Sequence, residues 1–262
     1  MFGESNKGFI MAKSFYYPVN ELASATLTDG TFNVVDPFNS SNVLTNEERA
    51  TDQSISTAIT SWSATNDSLR FDLGSAVAID FIALYFSSSE TDNLTLYSNS
   101  SSDFSGSLST SEAMTSTFSK GWTVVTFSSD TKQYWLLRAT SGAIANLTEV
   151  IIGKKYDFDI NFDLNNTESD ISGSDIITSY GGNEFSNKRH GQKATWNWAW
   201  GNISSTMKTS LDTFKTAVEI DRLKFIYYDE TNYHWVRMSG LDFTEVAYQR
   251  YSTSIKLTEQ LQ

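Results

Sequence analysis

The sequence predicts a mainly β protein: a β-sandwich in the N-terminal half, followed by a smaller α+β domain with one helix packed on an antiparallel sheet. Three observations predict it. Short apolar runs separated by Ser, Thr, Asn, Asp and Gly clusters recur from about Phe15 to Ile152, which is the pattern of a strand-and-turn sandwich. After Gly153-Lys154-Lys155 the texture changes to aromatic-rich strands with one amphipathic helical pattern. A length of 262 residues also exceeds one ordinary domain, and it divides as 14–154 and 155–262 behind an N-terminal arm, 1–13.

Composition narrows the function classes. Charged residues make up 19%, below the roughly 25% of an average domain, so Ser, Thr and Asn must cover the surface. Such residues compete with the helix backbone or are stiff at χ1, which favours strands and turns. The formal charge of −12 and the lack of a basic stripe argue against nucleic acid as a partner. There is no cysteine, which removes disulfides, thiolate metal sites and thiol nucleophiles. No run of about 20 apolar residues is present to insert in a membrane, and residues 1–13 lack the apolar core of a signal peptide, so a chain made in a cytosol is expected.

The elements follow in order. Leu69, Phe71 and Leu73 alternate with Arg70 and Asp72, so one face of that strand meets a core and the other faces out. Residues 79–86 are more continuously apolar and read as a central strand. Further strands are expected at 94–97, 122–127, 134–139 and 147–153, with the serine-rich stretch 98–111 as a mobile loop. In the second domain Tyr156, Phe158, Ile160 and Phe162 alternate with polar residues, giving an amphipathic strand. Gln192 to Trp200 is a second strand, in which Trp196, Trp198 and Trp200 share one face.

The helix is expected at 204–219, because Met207, Leu211, Phe214 and Val218 recur at spacings of four, three and four, and Asn202 or Ser204 can cap its start. A hairpin follows, with strands at 225–228 and 233–238 and a turn at Asp229-Glu230-Thr231-Asn232, then last strands at 241–251 and 254–257.

Candidate chemistry is sparse. The two histidines, His190 and His234, lie in different segments with no nucleophile motif beside either, and there is no Gly-x-Ser-x-Gly elbow. Carboxylate pairs such as Asp157/Asp159 or Asp170/Asp175 read better as solvated faces than as a glycosidase pair. No P-loop, Rossmann fingerprint, HExxH or EF-hand loop occurs. A protein with no catalytic residues and no cofactor is the expectation. Three indoles on one strand face suit a core or a subunit interface better than a sugar platform. Trp196, Trp198, Trp200, Tyr233 and Trp235 are therefore the interface candidates, in a chain expected to form a homo-oligomer.

Two resemblances add to this reading. The segment Arg49-Ala50-Thr51-Asp52-Gln53, Trp62, and then Leu69-Arg70-Phe71-Asp72-Leu73-Gly74 resembles the discoidin-like, galactose-binding-like jelly roll, whose closing strands the sequence at 134–138 and 147–153 also fits. That resemblance implies a jelly-roll sandwich with glycan contacts on its end loops, and a structural calcium near Asp52, for which oxygen-only ligation is suitable.

The second half resembles small α+β domains of bacteriophage tail proteins of distal-tail or tube-adaptor type. The resemblance rests on Lys188-Arg189-His190-Gly191-Gln192, the Trp-rich strand, the helix, and the hairpin ending at Arg250-Tyr251-Ser252. It implies a structural tail component of the virion, assembled into a ring in the host cytoplasm with other tail proteins, and displaying the lectin-like domain toward a host-surface glycan. The alternatives are a carbohydrate-binding adhesion module outside any ring, and a capsid decoration or neck protein.

Overall fold

The computed structural model describes residues 14–16, 21–33, 38–41, 43–52, 54–59, 62, 65–114, 117–158, 160, 162–163, 167–219 and 222–260. The arm expected at 1–13 and Gln53 lie outside the described residues. The chain divides into two compact units, residues 19–155 and residues 1–18 with 156–261. Antiparallel sheets dominate both, and α1 (Ser205–Ala217) is the one α-helix among the described residues.

Strands are numbered in chain order. β1 (Ser14–Tyr16) belongs to the second unit. The first unit holds β2 (Thr26–Thr31), β3 (Asn39–Ser40), β4 (Asp67–Phe86), β5 (Asn93–Asn99), β6 (Thr110–Ala113), β7 (Gly121–Ser141) and β8 (Leu147–Gly153). The long strands β4 and β7 shape it. Residues 68–72 pair with 134–138, the ladder breaks, and 81–86 then pair with 121–126. At the break Asp72 faces Tyr134 and Val77 faces Lys132, so the stretch 73–76 stands opposite Gln133 alone.

Gly74 takes a left-handed φ of 74° there, and its N–H donates to Asp72 Oδ1 at 2.9 Å. Such an insertion bends a strand and lets it pass from one sheet to the next. The first half of β4 lies in the order β3-β2-β4-β7-β5-β6, and its second half pairs with β8. Between the layers Leu69, Phe71, Leu96, Trp135 and Leu137 meet Ile82, Leu84, Phe86, Val150 and Ile152 in one buried cluster. The alternation at 69–73 and the continuous burial of 81–86 follow the sequence pattern.

The second unit holds β1, β9 (Lys155–Asp157), β10 (Thr167–Ile171), β11 (Ser174–Thr178), β12 (Glu184–Lys188), β13 (Lys193–Ser204), β14 (Phe225–Tyr228), β15 (Tyr233–Ala247) and β16 (Arg250–Glu259). Seven of them form a sheet in the order β10-β13-β16-β15-β14-β1-β9, and β11 with β12 forms a separate ribbon. Helix α1 starts where Ser204 Oγ accepts from Met207 N at 3.1 Å. It buries Met207, Leu211 and Phe214 against the strand tryptophans.

Three expectations need correction. Ser14–Tyr16 pairs with β14, not with the sandwich, through partners such as Phe15 and Tyr227, a long-range pairing that local periodicity does not encode. The amphipathic strand expected over 156–162 is a strand only to Asp157. Phe158 and Phe162 still enter the core, because they pack on Trp200 and Trp198 from outside the ladder. The chain also turns at Tyr248-Gln249, where Gln249 has a φ of 55°, so one strand runs up to Ala247 and the next begins at Arg250.

Candidate functional site

In β4 the inward Leu69 and Phe71 force Arg70 and Asp72 onto the outer face of the layer formed by β2, the first half of β4, β7 and β5. Register then brings their neighbours together. Asp72 stands between Thr26 of β2 and Tyr134 of β7, with Asn99 of β5 beyond. Arg70 stands between Thr28 and Leu136, with Tyr97 beyond.

Part of this face is covered by the chain that follows β5. Phe104, Phe32, Phe38, Tyr97 and Leu136 form a small buried cluster, with Leu108 and Tyr134 packed against it. Phe38 N donates to Asp103 O at 2.7 Å and Ser109 N to Ser98 O at 3.1 Å. The stretch expected to be a mobile loop is thus pinned to the sheet, and its two apolar residues explain why, since Phe104 enters a small core of its own and Leu108 packs against it.

Arg70 ties the loop to the strands. Its Nη1 donates to Ser102 O at 2.8 Å and its Nη2 to Thr28 Oγ1 at 3.1 Å. Its guanidinium carbon lies 5.1 Å from the Phe38 ring centre and 6.0 Å from that of Tyr134, within the range of a cation–π contact. Its Nε is buried and meets no acceptor, which costs about 1–3 kcal/mol.

Asp72 Oδ1 accepts from Gly74 N and from Gln133 Nε2, each at 2.9 Å, so the carboxylate is aimed by the same bulge that bends β4. Asp72, Gln133 and Tyr134 are all half-buried. Farther along, Asp130 accepts from Ser98 Oγ at 2.5 Å and Ser109 Oγ at 3.2 Å.

A half-exposed aromatic ring beside a fixed carboxylate and a carboxamide can stack on an apolar ring face while exchanging hydrogen bonds with hydroxyls.

The residues singled out from the sequence lie elsewhere. Asp52 is exposed at the end of a 3₁₀ turn. Its Oδ1 accepts from Ser54 N at 2.7 Å and its Oδ2 from Thr57 Oγ1 at 2.9 Å, so both oxygens close a local turn. Among the described residues no group of three or more His, Asp or Glu side chains is arranged to hold a metal ion.

Trp196, Trp198 and Trp200 are buried together in the core of the second unit. Phe162 stacks on Trp198 at 4.9 Å, and Trp200 Nε1 donates to Ile160 O at 3.0 Å. Tyr233 and Trp235 point to the other side of β15 from the core residues Val236 and Met238. Tyr233 stacks on Tyr228 at 4.7 Å, and Trp235 is buried. The alternation at 69–73 by itself turns Arg70 and Asp72 outward. The grouping with Tyr134 and Gln133 was missed because it depends on register across strands more than 60 residues apart, as Gln133 and Asp72 are by 61.

No protein-family model matches the sequence, and no curated protein matches it. Several solved structures are similar. Chitosan-binding module 1 of a chitosanase/glucanase from Paenibacillus sp. IK-5 aligns at 18% identity over 52% of this chain and 99% of its own, with a TM-score of 0.39. The lectin domain of lectinolysin, complexed with Lewis B antigen, aligns at 13% identity over 52% and 96%, with a TM-score of 0.40. A fucose binding module of Streptococcus pneumoniae aligns at 11% identity over 51% and 94%, also with a TM-score of 0.40. At these scores the likeness assigns no role to any residue of this chain.

Proposed function

We propose that the sandwich of residues 19–155 is a non-catalytic carbohydrate-binding unit, and that the sugar lies against Tyr134 on the outer face of the layer formed by β2, the first half of β4, β7 and β5. The observation that supports this is the adjacency of the Tyr134 ring to the Asp72 carboxylate across one strand pair, with Gln133 bonded to that carboxylate. Tyr134 supplies the platform, Asp72 accepts from sugar hydroxyls, and Gln133 offers a carboxamide. Arg70 acts as a positioning residue beneath the ring.

The formal charge of −12 sets a preference, since a strongly acidic protein repels anionic ligands. Neutral or amine-bearing glycans are therefore the expected class, ahead of sialylated or sulfated ones. Screening the full chain on a glycan array, followed by calorimetry on the best ligand, tests the reading. Tyr134→Ala and Asp72→Asn are each expected to weaken binding at least tenfold, about 1.4 kcal/mol, with the fold unchanged by circular dichroism. Binding to no glycan, or full-strength binding by both variants, would reject it.

A second reading treats the chain as a structural component of a bacteriophage tail that assembles into a ring and displays the sandwich. One observation favours it: the second unit exposes large apolar side chains at Ile176, Ile177, Tyr180, Phe185, Val246 and Tyr248. Closed rings of purified protein in negative-stain electron micrographs are its expected outcome, and their absence would remove it.

A further inference from the structure

β11 and β12 form a ribbon that belongs to neither large sheet. They extend the edge pair β10 and β13 past a break at Gly173, where the amides of Arg189 and His190 both donate to Gly173 O, at 2.7 and 3.2 Å. Every residue of β12 is exposed, and Ile176, Ile177 and Phe185 remain 66%, 63% and 61% accessible, with Tyr180 at the turn fully so. An isolated two-stranded ribbon is marginal in water, and an exposed apolar edge invites another strand.

We propose that this arm pairs with the same arm of a second copy of the chain, strand β12 against strand β12 in antiparallel fashion, centred on Ser186. The sequence of the strand is charge-symmetric about that residue: Glu184 lies two residues before Ser186 and Lys188 two residues after. A two-fold pairing at Ser186 sets each Glu184 opposite the Lys188 of the other copy, on the same face of the new sheet.

Backbone alternation agrees with that register. Ser179 N donates to Asn183 O at 2.7 Å at the turn, so the pairs Ile177/Phe185 and Asp175/Asn187 are the hydrogen-bonded ones within the ribbon. The peptide groups of Glu184, Ser186 and Lys188 therefore point toward the outer edge of β12, along which no described strand lies. The same register makes the two Phe185 rings diagonal neighbours on one face, a spacing aromatic side chains bridge. Pairing along β11 instead would set Asp175 opposite Ile177 and satisfy no charge.

Ile177 shares the face on which the two Phe185 rings meet, so the pairing shields apolar surface on that face as well as the bare strand edge. This pairing is independent of the glycan reading and closes on itself as a dimer contact, so it does not need a ring.

The full chain contains no cysteine, which allows a direct test. Ser186→Cys places the two thiols opposite one another at a Cα separation of about 5.5 Å, within disulfide reach. Mild oxidation is expected to give a covalent dimer of twice the 29.3 kDa chain mass, whereas Ala143→Cys, on the exposed surface of the sandwich, stays monomeric on a denaturing gel. Light scattering should show self-association of the native protein, its loss in Glu184→Lys and in Lys188→Glu, and its return when both are combined. A native protein that remains monomeric up to its solubility limit would overturn the pairing. So would failure of Ser186→Cys to cross-link, or charge variants that associate as the native chain does.

Discussion

Asp103 is exposed, yet Ser101 Oγ donates to its Oδ1 at 2.6 Å and Ser105 N at 2.9 Å, and these bonds hold its pKa down at about 2. A carboxyl depressed in the folded state adds stability above its unfolded pKa, about 3.9, and loses it as pH falls through the folded value. The covering loop should therefore loosen between about pH 4 and pH 2. The Ser105 amide shift is expected to titrate with a midpoint near 2, and a midpoint near 4 would mean that the two bonds are open in solution. In the second unit, His234 Nε2 lies 2.8 Å from Asp229 Oδ2 and Nδ1 lies 3.4 Å from Glu259 Oε1. Burial works against the Asp229 carboxylate, but the amides of Asn232 and Thr231 together with His234 outweigh it and keep its pKa low. Trp198 is buried against Phe162, so Trp198→Ala should cost about 3–5 kcal/mol, read as a lower midpoint in chemical denaturation. The shared face of the three indoles was legible from their period of two. That the face turns into its own unit depends on Phe158 and Phe162 folding back over it, and nothing local to the Trp strand encodes that return.

At the scale of elements, Ser204 caps α1 with its side chain while its own backbone is extended, as the last residue of β13. Ser204→Ala should lower stability by about 1 kcal/mol, seen as a shifted unfolding midpoint, because one amide of the first turn loses its acceptor. Gly173 has a different constraint. A Cβ there would lie 2.1 Å from His190 O, so Gly173→Ala must displace the backbone at the root of the arm. Faster hydrogen exchange across 174–188, with the main sheet unaffected, is the expected result. The helix was legible because four apolar residues recur at turn spacing. The corner of β4 was not, since 69–73 and 79–86 read as two strands, and only the ladder with β7 shows them to be one strand bent at Gly74. The candidate face was missed for the same reason: its residues are adjacent through register, and register is a property of strand pairs.

For the whole molecule, the chain divides into two compact units, but the division is not a simple halving. Strand β1 lies between β14 and β9 in a sheet otherwise built from residues beyond 154, so the second unit is assembled from both ends of the described chain. Contacts that distant leave no local trace in composition. Deleting residues 1–18 should accordingly destabilise the second unit and leave the sandwich intact, with raised hydrogen exchange in β14 and unchanged exchange in β5 and β7. The neighbouring positions of β1 and β9 have a further consequence. The chain leaves this sheet after Tyr16 and rejoins it at Lys155 on strands about 5 Å apart. Along the chain, the sandwich is an insertion between two neighbouring strands of the other unit's sheet. A different insert with closely spaced ends could take its place while the strand order of that sheet stayed as it is.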